Sequence, residues 1–206
     1  MNLYQGYPVR GSGKIIDIDD EDVVFKLDSE LQEIAMKLEG KAYIVKDKYF
    51  HRHVKADIVY SNFSNSTIVL NNFIYLLNLP AVQRKFPRIY PKILIHAKLV
   101  GRNDLQAVGN LYDLSQNGID MISEENLGFY NGTKINIEFD VTYDKKKHSV
   151  KTIGEIVDIM QYMKSCRYCL KIFPDLKNIK IIKRYIGKRE EEIKQELRDE
   201  LSYYVF

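Results

Sequence analysis

A chain of 206 residues, 45% hydrophobic and 29% charged, has enough apolar material for one large globular domain or two small ones. Its formal net charge of +3 supplies no global basic field, which argues against a nucleic-acid polymer as partner and means that any anion site must come from local clustering. No apolar run is long enough to insert in a bilayer, and the first residues, MNLYQGYPVRGSGK, lack the apolar core of a signal sequence, so the expected compartment is the cytoplasm.

The 15 Tyr and 9 Phe suit half-buried sheet surfaces. In chain order, GKIIDI and DVVFKL read as strands joined by the acidic turn Asp19 to Asp22. DSELQEIAMKLEGK then reads as a helix. Asp28 or Ser29 can cap it, Gly40 can stop it, and Leu31, Ile34, Ala35 and Leu38 share one face. KAYIVK, VKADIVY and STIVLNN return to strand character, and residues 1–80 are expected to form a small β barrel or sandwich.

Residues 81–91 interrupt this pattern with AVQRKFPRIYPK, which runs one residue further to Lys92. Phe86 and Tyr90 each precede a proline and are pushed towards extended geometry, so Arg84 and Arg88 ride on an extended or turning linker. Four extended residues span at most about 14 Å. That reach suits two guanidinium groups bracketing one compact ligand, and arginine's planar fork matches both phosphate oxygens and the acceptor edge of guanine.

Six further strands follow: KILIHAKLV, LQAVGNLYDLS, GIDMIS, KINIEFDVTY, KTIGEIVDIMQ and RYCLKIF. Their connections carry Gly, Asn and Asp, as at Gly101–Asp104 and Asn131–Gly132, and this spacing predicts a six-stranded antiparallel barrel over residues 92–176. The absence of βαβ alternation counts against a nucleotide-hydrolase or dinucleotide fold. Residues 177–206 end in an amphipathic helix with the stripe Ile193, Leu197 and Leu201. The fold class is therefore mainly β, two small barrels plus a C-terminal helix.

A second cluster lies in the new barrel: Asp113-Leu-Ser-Gln-Asn-Gly118. If the strand continues through it, Asp113 and Ser115 point to one face. A carboxylate there can accept from guanine N1–H and N2–H₂, Ser115 adds a hydroxyl, and Gly118 leaves room for a turn or a flat ligand. Together with the arginines these residues describe a guanine-nucleotide site.

At these residues the sequence resembles PilZ domains. Arg84-Lys-Phe-Pro-Arg88 matches their RxxxR motif and Asp113-Leu-Ser-Gln-Asn-Gly118 their [D/N]xSxxG motif, while GEIVDI and YCLKIF resemble the closing strands, with Gly154 at the family's glycine position. The resemblance implies a receptor for cyclic di-GMP with no other cofactor. Arg84 and Arg88 would clamp the ligand, Asp113 and Ser115 would read guanine, and Gly118 would give clearance. Gln83, Lys85, Asn117 and Gly154 would supply additional contacts. The N-terminal half resembles the accessory domain of YcgR-type proteins. Ligand binding would then reorient the two domains and act on a protein partner, in the flagellar motor or the surface-attachment machinery. The alternative is a PilZ-fold interaction adaptor that binds no ligand.

Other motifs carry less. Cys166 and Cys169 have redox-motif spacing but lie in a strand, so they read as small packed residues. His51 and His53 have the spacing of one strand face and read as exposed residues; no further ligands accompany them, so no metal site is expected. No Ser-His-Asp order, paired acids or metal signature points to catalysis, so no enzyme and no catalytic residues are expected.

Overall fold

The computed structural model describes residues 1–101, 105–124 and 128–204. Backbone contacts divide the chain into two units, Met1–Pro87 with Glu192–Phe206, and Arg88–Glu191.

The first unit opens with a ribbon of β1 (Asn2–Tyr4) and β2 (Tyr7–Val9), turned by Gln5 and Gly6 at positive φ. These three-residue strands were too short for a periodicity reading to find. Five strands then form one antiparallel sheet: β3 (Gly13–Asp19), β4 (Asp22–Leu27), β5 (Lys41–Ile44), β6 (His53–Asn62) and β7 (Thr67–Leu76), in spatial order β3-β4-β7-β6-β5. This unit was expected to be a barrel or sandwich, and it is an open sheet. The edge strand β3 is exposed along its whole length, Ile15, Ile16 and Ile18 included, and pairs among the described residues with β4 alone.

Helix α1 (Glu30–Glu39) covers the sheet. It begins where Ser29 Oγ accepts a hydrogen bond from Gln32 N and ends at Gly40, whose φ of 69° lets its N–H reach Met36 O at 2.9 Å. Its inward face differs from the expected stripe by a small rotation. Met36 joins Phe25, Leu27, Ala42, Ala56, Ile68 and Leu70 in the core, while Leu38 is exposed. His53 is a second correction: it is buried, with its Nδ1 accepting from Lys46 N at 3.1 Å. A helical turn, α2 (Pro80–Gln83), precedes the arginine segment, and Arg84 caps it in extended geometry.

The second unit is a closed antiparallel barrel of β8 (His96–Val100), β9 (Gln106–Leu114), β10 (Gly118–Ser123), β11 (Lys134–Tyr143), β12 (Lys146–Tyr162) and β13 (Ser165–Phe173), in spatial order β10-β13-β12-β11-β8-β9. Alternation supplies its interior: Ile135, Ile137, Phe139 and Val141 of β11 are buried while their neighbours face outward. Asp144 and Lys145, both at positive φ, close the β11–β12 hairpin where the charged run DKKKH predicts a tip. Gly132, with φ of 85°, sits in the connection before β11. Residues 102–104 of the other expected connection lie outside the described residues.

Helix α3 (Leu176–Ser202) starts beside Asp175, whose carboxylate accepts from Asn178 N at 2.7 Å. In the barrel unit it buries Ile182 and Ile186, and Arg184 bonds Asp144 at 3.1 Å. Its last turns belong to the first unit, where Ile193 and Leu197 are buried as their stripe predicts. There Lys194 lies over the Tyr7 ring and Tyr204 meets Phe63.

Candidate ligand-binding site

Three neighbouring strands build the site. Leu114 and Ile119 pair across β9 and β10 and are fully buried in the barrel. The next pair along, Asp113 and Asp120, therefore points to the opposite face, and two carboxylates stand directly across from each other. A like-charge cross-strand pair is unfavourable by itself. Both residues are almost fully covered, at 3% and 1% exposure, so the pair must be neutralised by cations.

Two arginines do this. Arg88 Nη1 lies 3.3 Å from Asp113 Oδ2 and 3.0 Å from Asp120 Oδ2. Arg167, on β13, donates through Nε to Asp120 Oδ2 at 3.0 Å and through Nη2 to the same oxygen, with Asp113 Oδ2 at 3.5 Å. The four charges sum to zero. Burial foremost, and the Asp120 charge next, raise the pKa of Asp113; the two arginines oppose this. Burial disfavours the charged form of Arg88, yet Asp113 and Asp120 outweigh it and raise its pKa.

A bulge brings an aromatic group to the same place. Asp120 pairs with Asp113 but Met121 pairs with Leu111, so Tyr112 is an extra residue in β9. Arg167 reaches both members of the bulge: its guanidinium stands 4.3 Å from the Tyr112 ring centroid while contacting Asp113. Tyr90 and Tyr162 flank Tyr112, with centroids at 5.2 and 5.9 Å. Cys169, opposite Asp120 on β13, is buried; burial and then Asp120 push its thiol up to about 12.

The anchor of Arg88 is fixed. Ile89 exchanges two backbone hydrogen bonds with Leu114, each 3.0 Å, and Tyr90 O accepts from Arg189 Nε at 3.1 Å. Ser115 lies just beyond β9, and its placement differs from a continued strand. Its N–H bonds Gly118 O at 2.8 Å, closing a turn, and its hydroxyl reaches Gly118 O at 3.1 Å and Asn117 Oδ1 at 3.3 Å. A Cβ on Gly118 would meet Leu170 O at 3.1 Å, so glycine keeps the turn close to β13. Asn117 O accepts from Ile172 N at 3.0 Å.

Arg88 and Asp113 are thus adjacent, and the Ser115–Gly118 turn follows Asp113 in the chain. Gly154 sits on β12 opposite Ile135 and Ile172, where a Cβ would lie 2.4 Å from Ile137 Cδ1; it makes room for the barrel core. Arg84, Gln83 and Lys85 belong to the first unit. There Arg84 is exposed, Gln83 Nε2 lies 3.4 Å from Asn78 Oδ1, and Lys85 stands over the Phe86 ring. Sequence reasoning missed Asp120, Arg167, Tyr112 and Tyr90. Asp120 and Arg167 carried one signal, a charge alternating with apolar neighbours in GIDMIS and SCRYC, but cross-strand register was needed to pair them.

No family model and no curated protein matches the sequence. Solved structures do. The inhibitor of motility of Bacillus subtilis (MotI/DgrA) superposes with a TM-score of 0.50 at 10% identity, covering 93% of this chain and 99% of that one. YcgR of Escherichia coli in complex with cyclic di-GMP gives 0.48 at 12% identity, covering 91% and 82%. The MrkH–cyclic di-GMP complex of K. pneumonia gives 0.47 at 11%, covering 89% and 84%. At its identity the likeness to MotI/DgrA is one of fold. The chain has the PilZ-like fold that its motifs imply, with a closed six-stranded barrel, a further sheet and a C-terminal helix.

Proposed function

We propose that this chain is a receptor for cyclic di-GMP that catalyses nothing itself and passes its ligand state to a protein partner in motility or surface attachment. The observation that carries the reading is the Arg88–Asp113 ion pair. It joins two sequence motifs 25 residues apart at 3.3 Å on one barrel face. A guanidinium supplies donors for a phosphate or for guanine O6 and N7, and a carboxylate accepts from the guanine N1–H and N2–H₂. Arg84 is the second cation of the clamp, Ser115 a second reader of guanine and Gly118 the clearance residue, with Asn117, Gln83 and Lys85 as further contacts. MotI/DgrA, similar in fold, is an inhibitor of motility, which supports the proposed setting. No helix among the described residues is long and apolar enough to cross a membrane. A bacterial cytoplasmic setting, where the dinucleotide would be met, is part of the proposal.

Signal output follows from the position of the arginine segment. The division between units falls between Pro87 and Arg88, inside the RxxxR motif. A change in the relative orientation of the two units on ligand binding is the proposed output.

Isothermal titration with cyclic di-GMP, GTP and a short single-stranded DNA tests the reading. Heat with cyclic di-GMP alone, lost in Arg88→Ala, is expected. Each charge-assisted contact is worth about 1.5–3 kcal/mol, so removing Arg88 should weaken binding at least ~10-fold. One observation favours the adaptor reading: Arg88 is already paired with two carboxylates. A silent titration with all three ligands would select it.

A further inference from the structure

We propose that Asp120 is a built-in competitor for Arg88, holding it in the ligand-free protein and setting the concentration at which an anionic ligand takes it over. This rests on the ligand reading above and adds the residue that regulates the site. Asp120 lies outside both motifs that define that site.

The hydrogen bonds carry the argument. Arg88 Nη1 lies nearer to Asp120 (3.0 Å) than to Asp113 (3.3 and 3.5 Å), so Asp120 is its closest anion. A guanidinium oriented onto these acids must turn its donors away before it can serve a phosphate or a purine. Only the side chain has to move, because the bridge between Ile89 and Leu114 fixes the backbone. Arg88 is also the more exposed partner, with 27% of its side chain accessible against 1% for Asp120, so an incoming ligand can reach it.

Release leaves Asp120 hydrogen-bonded to Arg167, which then faces both carboxylates alone. All three arginine hydrogen bonds to Asp120 end on Oδ2, and two of them come from Arg167. When Arg88 leaves, Asp120 keeps both bonds from Arg167, whose guanidinium is itself steadied over Tyr112. Exchange is therefore reversible and its cost bounded. Charge gives the same direction. Two guanidinium groups and two carboxylates sum to zero, so a dianionic ligand meets no net attraction; neutralising Asp120 leaves the cluster at +1.

The test uses the full chain as wild type, Asp120→Asn and Asp120→Ser. In the ligand-free state, arginine side-chain NMR reads the rotation of the Arg88 guanidinium, assigned by loss of its signal in Arg88→Ala. Rotation is expected to be slow in wild type and faster in both variants. Titration with cyclic di-GMP is expected to give ~10-fold tighter binding in both variants, the effect of removing one charge-assisted competitor. Binding seen only in the variants would be the same result at its limit. Equal Arg88 rotation in all three chains overturns the proposal, as does, where the wild type binds the dinucleotide, unchanged or weaker binding by variants whose amide spectra remain folded. Silence of every chain towards the dinucleotide, with Arg88 freed in the variants, would support the hold of Asp120 and overturn the ligand reading alone.

Discussion

Glu33 gives the sharpest test of the physical reading of the first unit. It lies on α1, is fully buried, and neither carboxylate oxygen has a hydrogen-bond partner among the described residues. Burial, and secondarily the Glu30 charge, push its carboxyl up from 4.5 to about 7. Between those values the folded chain holds a proton that the unfolded chain has lost. Stability therefore falls as pH rises through this window and levels off above it. A gap of about 2.5 on the pH scale, at roughly 1.4 kcal/mol for each step, amounts to roughly 3–4 kcal/mol. Glu33→Gln removes the charge and keeps the shape. It should flatten the profile and recover most of that stability above neutral pH. Hydrogen exchange by mass spectrometry, followed in α1 peptides of the full chain from about pH 5 to about pH 8 and corrected for intrinsic rates, isolates this unit from titrations in the barrel. Wild-type protection of α1 should drop across the window and the variant's should not. A flat wild-type profile, or an equal drop in the Gln variant, would refute the reasoning.

Three further outcomes follow from the barrel. Gly154→Ala forces a methyl to within 2.4 Å of the buried Ile137 Cδ1 and should cost about 1–3 kcal/mol by overpacking, read as a lowered urea midpoint of the barrel transition. Cys169, buried and with its thiol pushed up to about 12, should resist iodoacetamide at about pH 8 in the native chain and react once denatured. Ser115→Ala removes the hydroxyl bond to Gly118 O and should cost about 1 kcal/mol of stability, since the backbone bond from Ser115 N at 2.8 Å still closes the turn.

Much of the architecture was legible because period and punctuation are local properties. The six barrel strands, the Asp144 hairpin tip, the Gly40 stop and the stripe Ile193 and Leu197 all follow from alternation, turn chemistry or helical spacing. Arg88 and Asp113 were each legible from their motifs as candidate ligand contacts, but not as partners of one another. Three local readings failed where packing overrode pattern: Met36 displaced Leu38 from the core, His53 turned inward to Lys46, and the first sheet stayed open at β3.

The sequence by itself determined the strand pattern of the barrel and offered Arg84 and Arg88 on a linker, with Asp113 and Ser115 at a strand end, as candidates for a guanine-nucleotide site, because side-chain chemistry and hydrophobic period are written residue by residue. Only the tertiary structure decided that Asp113 stands across from Asp120, that Arg167 bonds both acids, and that Tyr112 bulges out beside them. Register between strands far apart in sequence is set by barrel closure and by a single bulge. A shift of one residue would have turned each of those side chains to the other face.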